Sequence, residues 1–198
     1  MGRRTKVSVK RRQGQSSRSS RAQSARLRTL VRLNERISSS LGGDQLLRAI
    51  AKAAAELMDA PVVSFWMVDE AAETLTAAAY SDERPVEDFP VKTIPFDKGG
   101  VGWVAKHRQL LDVPDVHADT RILALPWWSA HKLKSFLGVP VVSGDSLLAV
   151  LSLSGRRPFV LGPEERDLLD MFVAQAATAI RNAQVFAEDL TYDARGNI

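Results

Sequence analysis

The hydrophobic pattern of the chain changes period twice, and nothing else in the sequence constrains the fold as strongly. Short segments rich in Val, Ile, Leu and aromatic residues recur through the middle: Val62–Val68, Thr74–Tyr80, Thr93–Phe96, Leu110–Val113, Ser135–Val142 and Leu147–Ser154. Runs of this length between turn-forming residues predict strands. Several are apolar at both alternating positions, as expected of a sheet covered on both faces. Val142-Ser143-Gly144-Asp145-Ser146 reads as a hairpin connection, which makes the last two strands antiparallel neighbours. On either side of this block the period becomes helical. Leu27, Leu30, Asn34, Ile37 and Leu41 are spaced 3, 4, 3, 4. Gly42-Gly43 interrupts that seam. Asp44 is expected to cap a second helix running through Leu46, Leu47, Ile50, Ala54, Leu57 and Met58 to a stop before Pro61. Gly162-Pro163-Glu164-Glu165 starts a last helix, with Leu169, Phe172, Ala176, Ala179, Ala183, Phe186 and Leu190 along one stripe. Helices at both ends and strands between them predict an α+β domain with a mainly antiparallel sheet.

The outer parts of the two seams, Leu27–Ile37 and Ala183–Leu190, project beyond such a core and would be half exposed in a monomer. A parallel dimer is therefore expected, with Leu30, Asn34, Ile37, Ala183 and Phe186 at its interface. Asn34 occupies the same heptad position as Leu27 and Leu41, where a buried Asn fixes register. The competing reading packs both seams on their own domain, which suits the stretches nearest the core.

Charge divides the chain as sharply as hydropathy does. The whole protein of 198 residues carries +4. Its first 28 residues hold ten Lys and Arg and no acid, leaving 17 of the 27 basic residues against all 23 acids, a net of −6. The expected organisation is a basic tail over 1–26, a domain with flanking helices over 27–190 and a short tail over 191–198. An Arg-, Ser- and Gln-rich start buries too little apolar surface to fold alone. It is read as a solvated tail, with a phosphate-binding arm for nucleic acid or anionic lipid and a targeting segment as rivals. The absence of cysteine excludes a disulfide framework, a thiolate nucleophile and a zinc ribbon. No apolar run approaches the roughly 20 residues of a membrane span, and a cytoplasmic protein is expected.

Few motifs carry chemistry. Gly99-Gly100-Val101-Gly102 could offer backbone N–H groups to a phosphate, or serve only close packing and a positive φ ahead of a short helix. It has no P-loop Lys-Thr pair and does not follow the dinucleotide fingerprint. Asp112, Asp115, Asp119 and His117 read either as a metal cluster or, more simply, as loop residues that turn and cap the backbone. His107, His117 and His131 lie in separate segments, and Ser154-Gly155 is no nucleophile elbow. No catalytic or metal-binding residue is assigned. The aromatics are the better lead: Tyr80, Trp103 and Trp128, with Asp115 and Arg121, form a candidate ligand lining. The alternative has Trp103 in the core and Trp127-Trp128 anchoring a loop.

Five segments in order resemble the GAF domain family. Asn34–Leu41 followed by Leu46–Ile50 looks like its opening, Gly99–Ala105 its central glycine turn and short helix, and Asp112–Arg121 the loop after it. Ser135–Val141 is similar to its penultimate strand, and Arg157–Phe159 through Ala179–Ala183 to its closing helix. The resemblance implies a GAF/PAS-like six-stranded antiparallel sheet with helices on both faces and a pocket on one sheet face. It also implies a non-catalytic sensory module that binds a small molecule and passes the signal through its terminal helices. Lack of cysteine removes the usual covalent bilin attachment and the cysteine-based methionine sulfoxide reductase chemistry of two branches. The Asn, Lys, Phe, Asp, Glu signature of the cyclic-nucleotide branch is not matched residue by residue, so neither ligand nor cofactor is assigned. The eight residues after Leu190 are too few for an output domain. The expected recipient is a partner such as a histidine kinase or cyclase, or a further part of a longer chain. The alternatives are a ligand-free dimerisation scaffold and a regulator that binds nucleic acid through the basic arm.

Overall fold

The structure, a computed structural model, describes residues 43–82 and 87–196, with side chains described only between Asp44 and Gln184. The basic tail and the interface positions Leu30, Asn34, Ile37 and Phe186 lie outside the described residues or side chains. The order of elements is α1 (Gly43–Leu57), β1 (Val62–Asp69), β2 (Thr74–Tyr80), β3 (Thr93–Pro95), α2 (Gly99–His107), β4 (Leu111–Val113), α3 (Leu125–Ala130), β5 (Ser135–Ser143), β6 (Ser146–Gly155) and α4 (Pro163–Gly196). All six expected strands form, with ends within a residue or so of the sequence reading. Asp44 lies in the first turn of α1 rather than at its cap, where its charge complements the helix dipole. Helix α4 continues past Leu190 to Gly196, through residues read from sequence as a tail.

The strands form one sheet in the order β3-β2-β1-β6-β5-β4, antiparallel at every step. The hairpin joining β5 and β6 forms as expected, with Ser143 opposite Ser146 and Gly144 at φ +59° in the turn. Because β1 and β6 are central, each needs an apolar cover on both faces, and the register shows how they obtain it. On β1 and β6 the pairs Val63–Leu153 and Phe65–Leu151 project to one face, and Ser64–Ser152 to the other.

The first face is closed by α1 and α4, which also pack against each other. Ile50, Ala51 and Ala54 of α1 and Leu169, Phe172 and Ala176 of α4 meet Val63, Phe65, Leu137, Leu151 and Leu153, all almost or wholly buried. This is the dry half of the core. The second face is covered by α2, which packs on β5 and β6 and reaches β2, β3 and β4. Its approach is close. A Cβ on Gly138 of β5 would lie 2.7 Å from Val104 Cγ2, and one on Gly102 would lie 2.6 Å from the Pro95 carbonyl oxygen. The C-terminus of α2 is tied down by Arg108, in the left-handed region at φ +52°. Its guanidinium donates to Glu70 Oε1 at 2.7 Å and to the Asp145 carbonyl, joining α2 to the β1–β2 and β5–β6 turns. None of the helices, within the described residues, is long and apolar enough to cross a membrane.

Candidate functional site

Between the sheet and α2 the second face is not filled solid. A cavity of about 60 Å³ remains there. Its floor is Val62, Ser64 and Trp66 of β1, Ser152 and Ser154 of β6 and Phe136 of β5. The first turn of α2, Gly99 to Val101, borders it on one side. Ile122, Leu123, Trp127 and Trp128 close the other side, with Tyr80, Phe89 and Ile94 at its margins. The alternation of β1 and β6 explains the floor: every second residue faces α1 and α4, and the residues between them face the cavity.

Three buried serines on an otherwise apolar floor need hydrogen-bond partners. Ser64 and Ser152, opposite each other across β1 and β6, share an Oγ–Oγ hydrogen bond of 2.7 Å. The Trp66 indole N–H donates to both, at 3.1 Å to Ser64 Oγ and 3.3 Å to Ser152 Oγ. This triad is self-satisfied. Ser154 is different: it is only 6% exposed, and its hydroxyl has no hydrogen-bond partner among the described residues. No fully enclosed polar side-chain atom is left without a partner, so the Ser154 hydroxyl owes its remaining access to the cavity that it lines.

The aromatic walls lock one another edge to face, the preferred geometry for aromatic pairs. Ring centroids are 6.0 Å apart for Trp66–Phe89, 5.0 Å for Phe89–Trp127, 5.3 Å for Trp127–Trp128 and 6.3 Å for Trp128–Phe136. Trp128 is further fixed by its indole N–H, which donates to the Leu123 carbonyl at 3.0 Å. The turn into α3 places Ala124 at φ +58°, a left-handed conformation that a residue with a Cβ adopts only under local constraint. The Trp127 N–H closes that turn onto the Ala124 carbonyl at 2.9 Å.

The residues singled out from sequence fall into two groups. Tyr80 and Trp128 line the cavity. Burial raises the Tyr80 phenol above its ordinary pKa, with the nearby Arg48 charge acting against that shift. Trp103, Arg121 and Asp115 do not line it. Trp103 is half-buried on α2, packed against the core cluster beside the cavity and stacked on His107 with centroids 4.3 Å apart, and the Arg121 guanidinium sits 5.2 Å from its ring centroid. Arg121 is held by Asp119 through Nε–Oδ1 at 2.9 Å and Nη2–Oδ2 at 2.5 Å. That pairing is the main reason the Asp119 carboxyl is held below the usual carboxylate range. Asp115 Oδ1 accepts from the His117 backbone N–H at 3.0 Å, an Asx turn of the kind expected for a loop aspartate. Among the described residues no three His, Asp or Glu side chains converge in a way that could hold a metal ion. The glycine turn is explained by packing: Gly99 has φ +71°, and a Cβ on Gly100 would lie 2.9 Å from Phe136 Cε1.

Sequence reasoning missed Ser64, Trp66, Phe89, Trp127, Phe136, Ser152 and Ser154 as cavity residues. The available signal was the pair of serines two apart in Leu151-Ser152-Leu153-Ser154, placed on one face of a strand that is otherwise apolar.

A short helix laid over one face of an antiparallel sheet, with a cavity beneath it and two helices on the opposite face, is the architecture of a regulatory, sensory-type α+β domain. The chain belongs to the GAF domain family, whose model matches residues 43–180. It is similar to the dual 3′,5′-cyclic-AMP and -GMP phosphodiesterase 11A of Takifugu rubripes, 29% identical over 100 residues that make up 48% of this chain; the match spans 11% of that relative's length. Among solved structures it resembles the GAF domain of the Acinetobacter phosphoenolpyruvate-protein phosphotransferase, with a TM-score of 0.68 and 22% identity over 83% of this chain and 98% of that one. It also resembles free methionine-R-sulfoxide reductase from Neisseria meningitidis, with a TM-score of 0.65 and 17% identity over 79% of this chain and 88% of that one. At these identities the structural likenesses establish the fold alone.

Proposed function

We propose that the chain is a non-catalytic sensory module that binds a small molecule in the cavity between the sheet and α2. It relays occupancy through its terminal helices, as a dimer, to a signalling partner or output domain. A cytoplasmic setting and a histidine kinase or cyclase as recipient belong to the same proposal. The observation that carries it is the cavity itself: aromatic walls, a serine floor and the Ser154 hydroxyl, which has no hydrogen-bond partner among the described residues. Small-molecule sites combine an apolar lining with a few directed polar groups in this way. The reading is also supported by what the sequence lacks. The reductase relative acts on methionine sulfoxide, and the cysteine-based form of that chemistry has no thiol to use in a chain without cysteine.

A ligand would bridge the β1–β6 floor and the α2 and α3 walls, and so favour one packing of these parts over another. The coupling is a shift between two arrangements, limited in size by the ligand's differential affinity for them. Native mass spectrometry of protein purified from its own host tests the proposal. The expected result is a released small molecule that Trp127→Ala protein no longer carries. Empty protein that no member of a metabolite panel stabilises against heat would instead favour the scaffold reading, to which the continuous edge-to-face packing of the walls lends some support.

A further inference from the structure

Building on the reading of this cavity as a ligand site, we propose that its ligand is a compact monocarboxylate, with the acid group set against the first turn of α2 and the Ser154 hydroxyl. Its apolar body would lie against Trp66, Trp127 and Trp128. Three independent features lead there.

The first is the supply of donors. Helix α2 has nine residues, and its N-cap, Lys98, makes no side-chain cap hydrogen bond. Gly99, Gly100 and Val101 border the cavity, and the opening N–H groups of a helix have no intrahelical acceptor. The second is Ser154. The residue is only 6% exposed, and its hydroxyl has no hydrogen-bond partner among the described residues and opens to the same cavity, whereas the other two serines already satisfy each other and Trp66. Phe136 connects the two features: it pairs with Ser154 across β5 and β6, and its ring closes on Gly100. Donors from a strand and from a helix therefore flank one aromatic ring.

The third is charge and size. Among the described residues, no Lys, Arg, Asp or Glu lines the cavity. A cation would find no carboxylate. A phosphate dianion would find no cation among those described lining residues, Arg48 acting only on Tyr80 at the margin, and would depend on a helix end carrying about half an elementary charge. One negative charge matches that supply, and helix N-termini are ready-made sites for such groups. The volume of about 60 Å³ is well below the roughly 150 Å³ of an apolar cavity known to admit benzene, so a short, branched body fits better than a large ring.

The test uses the full chain and three probes: isobutyrate, its neutral isostere isobutyramide, and inorganic phosphate, each titrated by calorimetry and by amide NMR. Isobutyrate should bind saturably at millimolar concentration, move the Gly99–Val101 amide signals, and bind about tenfold more tightly than isobutyramide, with phosphate not competing. Ser154→Ala should weaken isobutyrate about fivefold or more while leaving the unfolding midpoint unchanged or raised, because that hydroxyl has no partner to lose among the described residues. A lower midpoint with unchanged isobutyrate affinity would make Ser154 structural and overturn its assigned role. If isobutyramide binds as tightly as isobutyrate, or phosphate displaces it, the carboxylate assignment is wrong while the cavity remains a ligand site. If none of the probes binds, this proposal falls, and the wider reading of the cavity is decided by the native mass-spectrometry result.

Discussion

Gly102 has no room for a side chain. The nearest atom to an added Cβ would be the Pro95 carbonyl oxygen at 2.6 Å, followed by the Phe96 carbonyl oxygen at 3.1 Å. Backbone atoms cannot step aside as a rotamer can, so Gly102→Ala should destabilise by about 1–3 kcal/mol in urea unfolding. Gly144 provides the contrast. It sits at φ +59° with no atom within 4 Å of a Cβ, so Gly144→Asn, which tolerates the left-handed region, should stay within about 0.5 kcal/mol of the parent. A second residue-scale prediction concerns acid. Arg121 lowers the folded-state pKa of Asp119, so the ion pair adds stability above the ordinary carboxylate pKa of 3.8. That stability is lost as pH falls through the lowered folded value. Asp119→Asn should therefore be less stable than the parent at pH 7, and thermal melts of the two should converge as pH drops below about 4. The site was only partly legible at this scale. Tyr80 and Trp128 could be picked out as large amphipathic side chains near turns. Trp103 looked equivalent, yet it packs against the core cluster beside the cavity and stacks on His107 without lining the cavity.

At the scale of elements, α4 does most to close the dry face of the sheet. Phe172 is fully buried between α1 and the central strands. Phe172→Ala should cost about 3–5 kcal/mol, read from the denaturation midpoint, with an unchanged fold by circular dichroism. The strands were legible because each is a short apolar run between turn residues, and β5 and β6 were also tied by a two-residue turn around Gly144 and Asp145. Their lateral order was not legible. The sheet places β6 between β1 and β5, so the last strand lies beside the first, and nothing local in either strand specifies that pairing. It follows from long-range burial: over most of their length β1, β5 and β6 are apolar or serine on both faces, and all three take interior positions in the sheet. The serines that form the cavity floor were obscured by the same fact. In sequence they look like polar interruptions of a buried strand, and their common face emerges only when Ser64 is set opposite Ser152.

At the scale of the whole molecule, α4 is a single helix of 34 residues that serves two environments. Through Ile180 one stripe of it (Leu168, Leu169, Phe172, Ala176, Ala179 and Ile180) is buried, whereas Arg181, Asn182, Ala183 and Gln184 form a full turn that is exposed. The 16 residues from Arg181 to Gly196 correspond to about 24 Å of further helix at 1.5 Å per residue. In sequence that stretch keeps the 3–4 spacing of Ala183, Phe186 and Leu190, matched at the other end by Leu30, Asn34 and Ile37. A helix stripe that continues past the core it packs on calls for another apolar surface, and a second copy of the same stripe supplies one of matching length and register. Sedimentation at micromolar concentration is expected to report a dimer. Phe186→Asp and Leu30→Asp should each shift it toward monomer, because a charge would be buried in the seam without a partner. Asn34→Leu should strengthen association while loosening its register, since the polar group contributes specificity at the expense of affinity. A monomer at that concentration, with both Asp variants silent, would remove the dimer and with it the route by which cavity occupancy leaves the domain. Retained dimerisation in both Asp variants would move the interface elsewhere and leave the cavity's role intact.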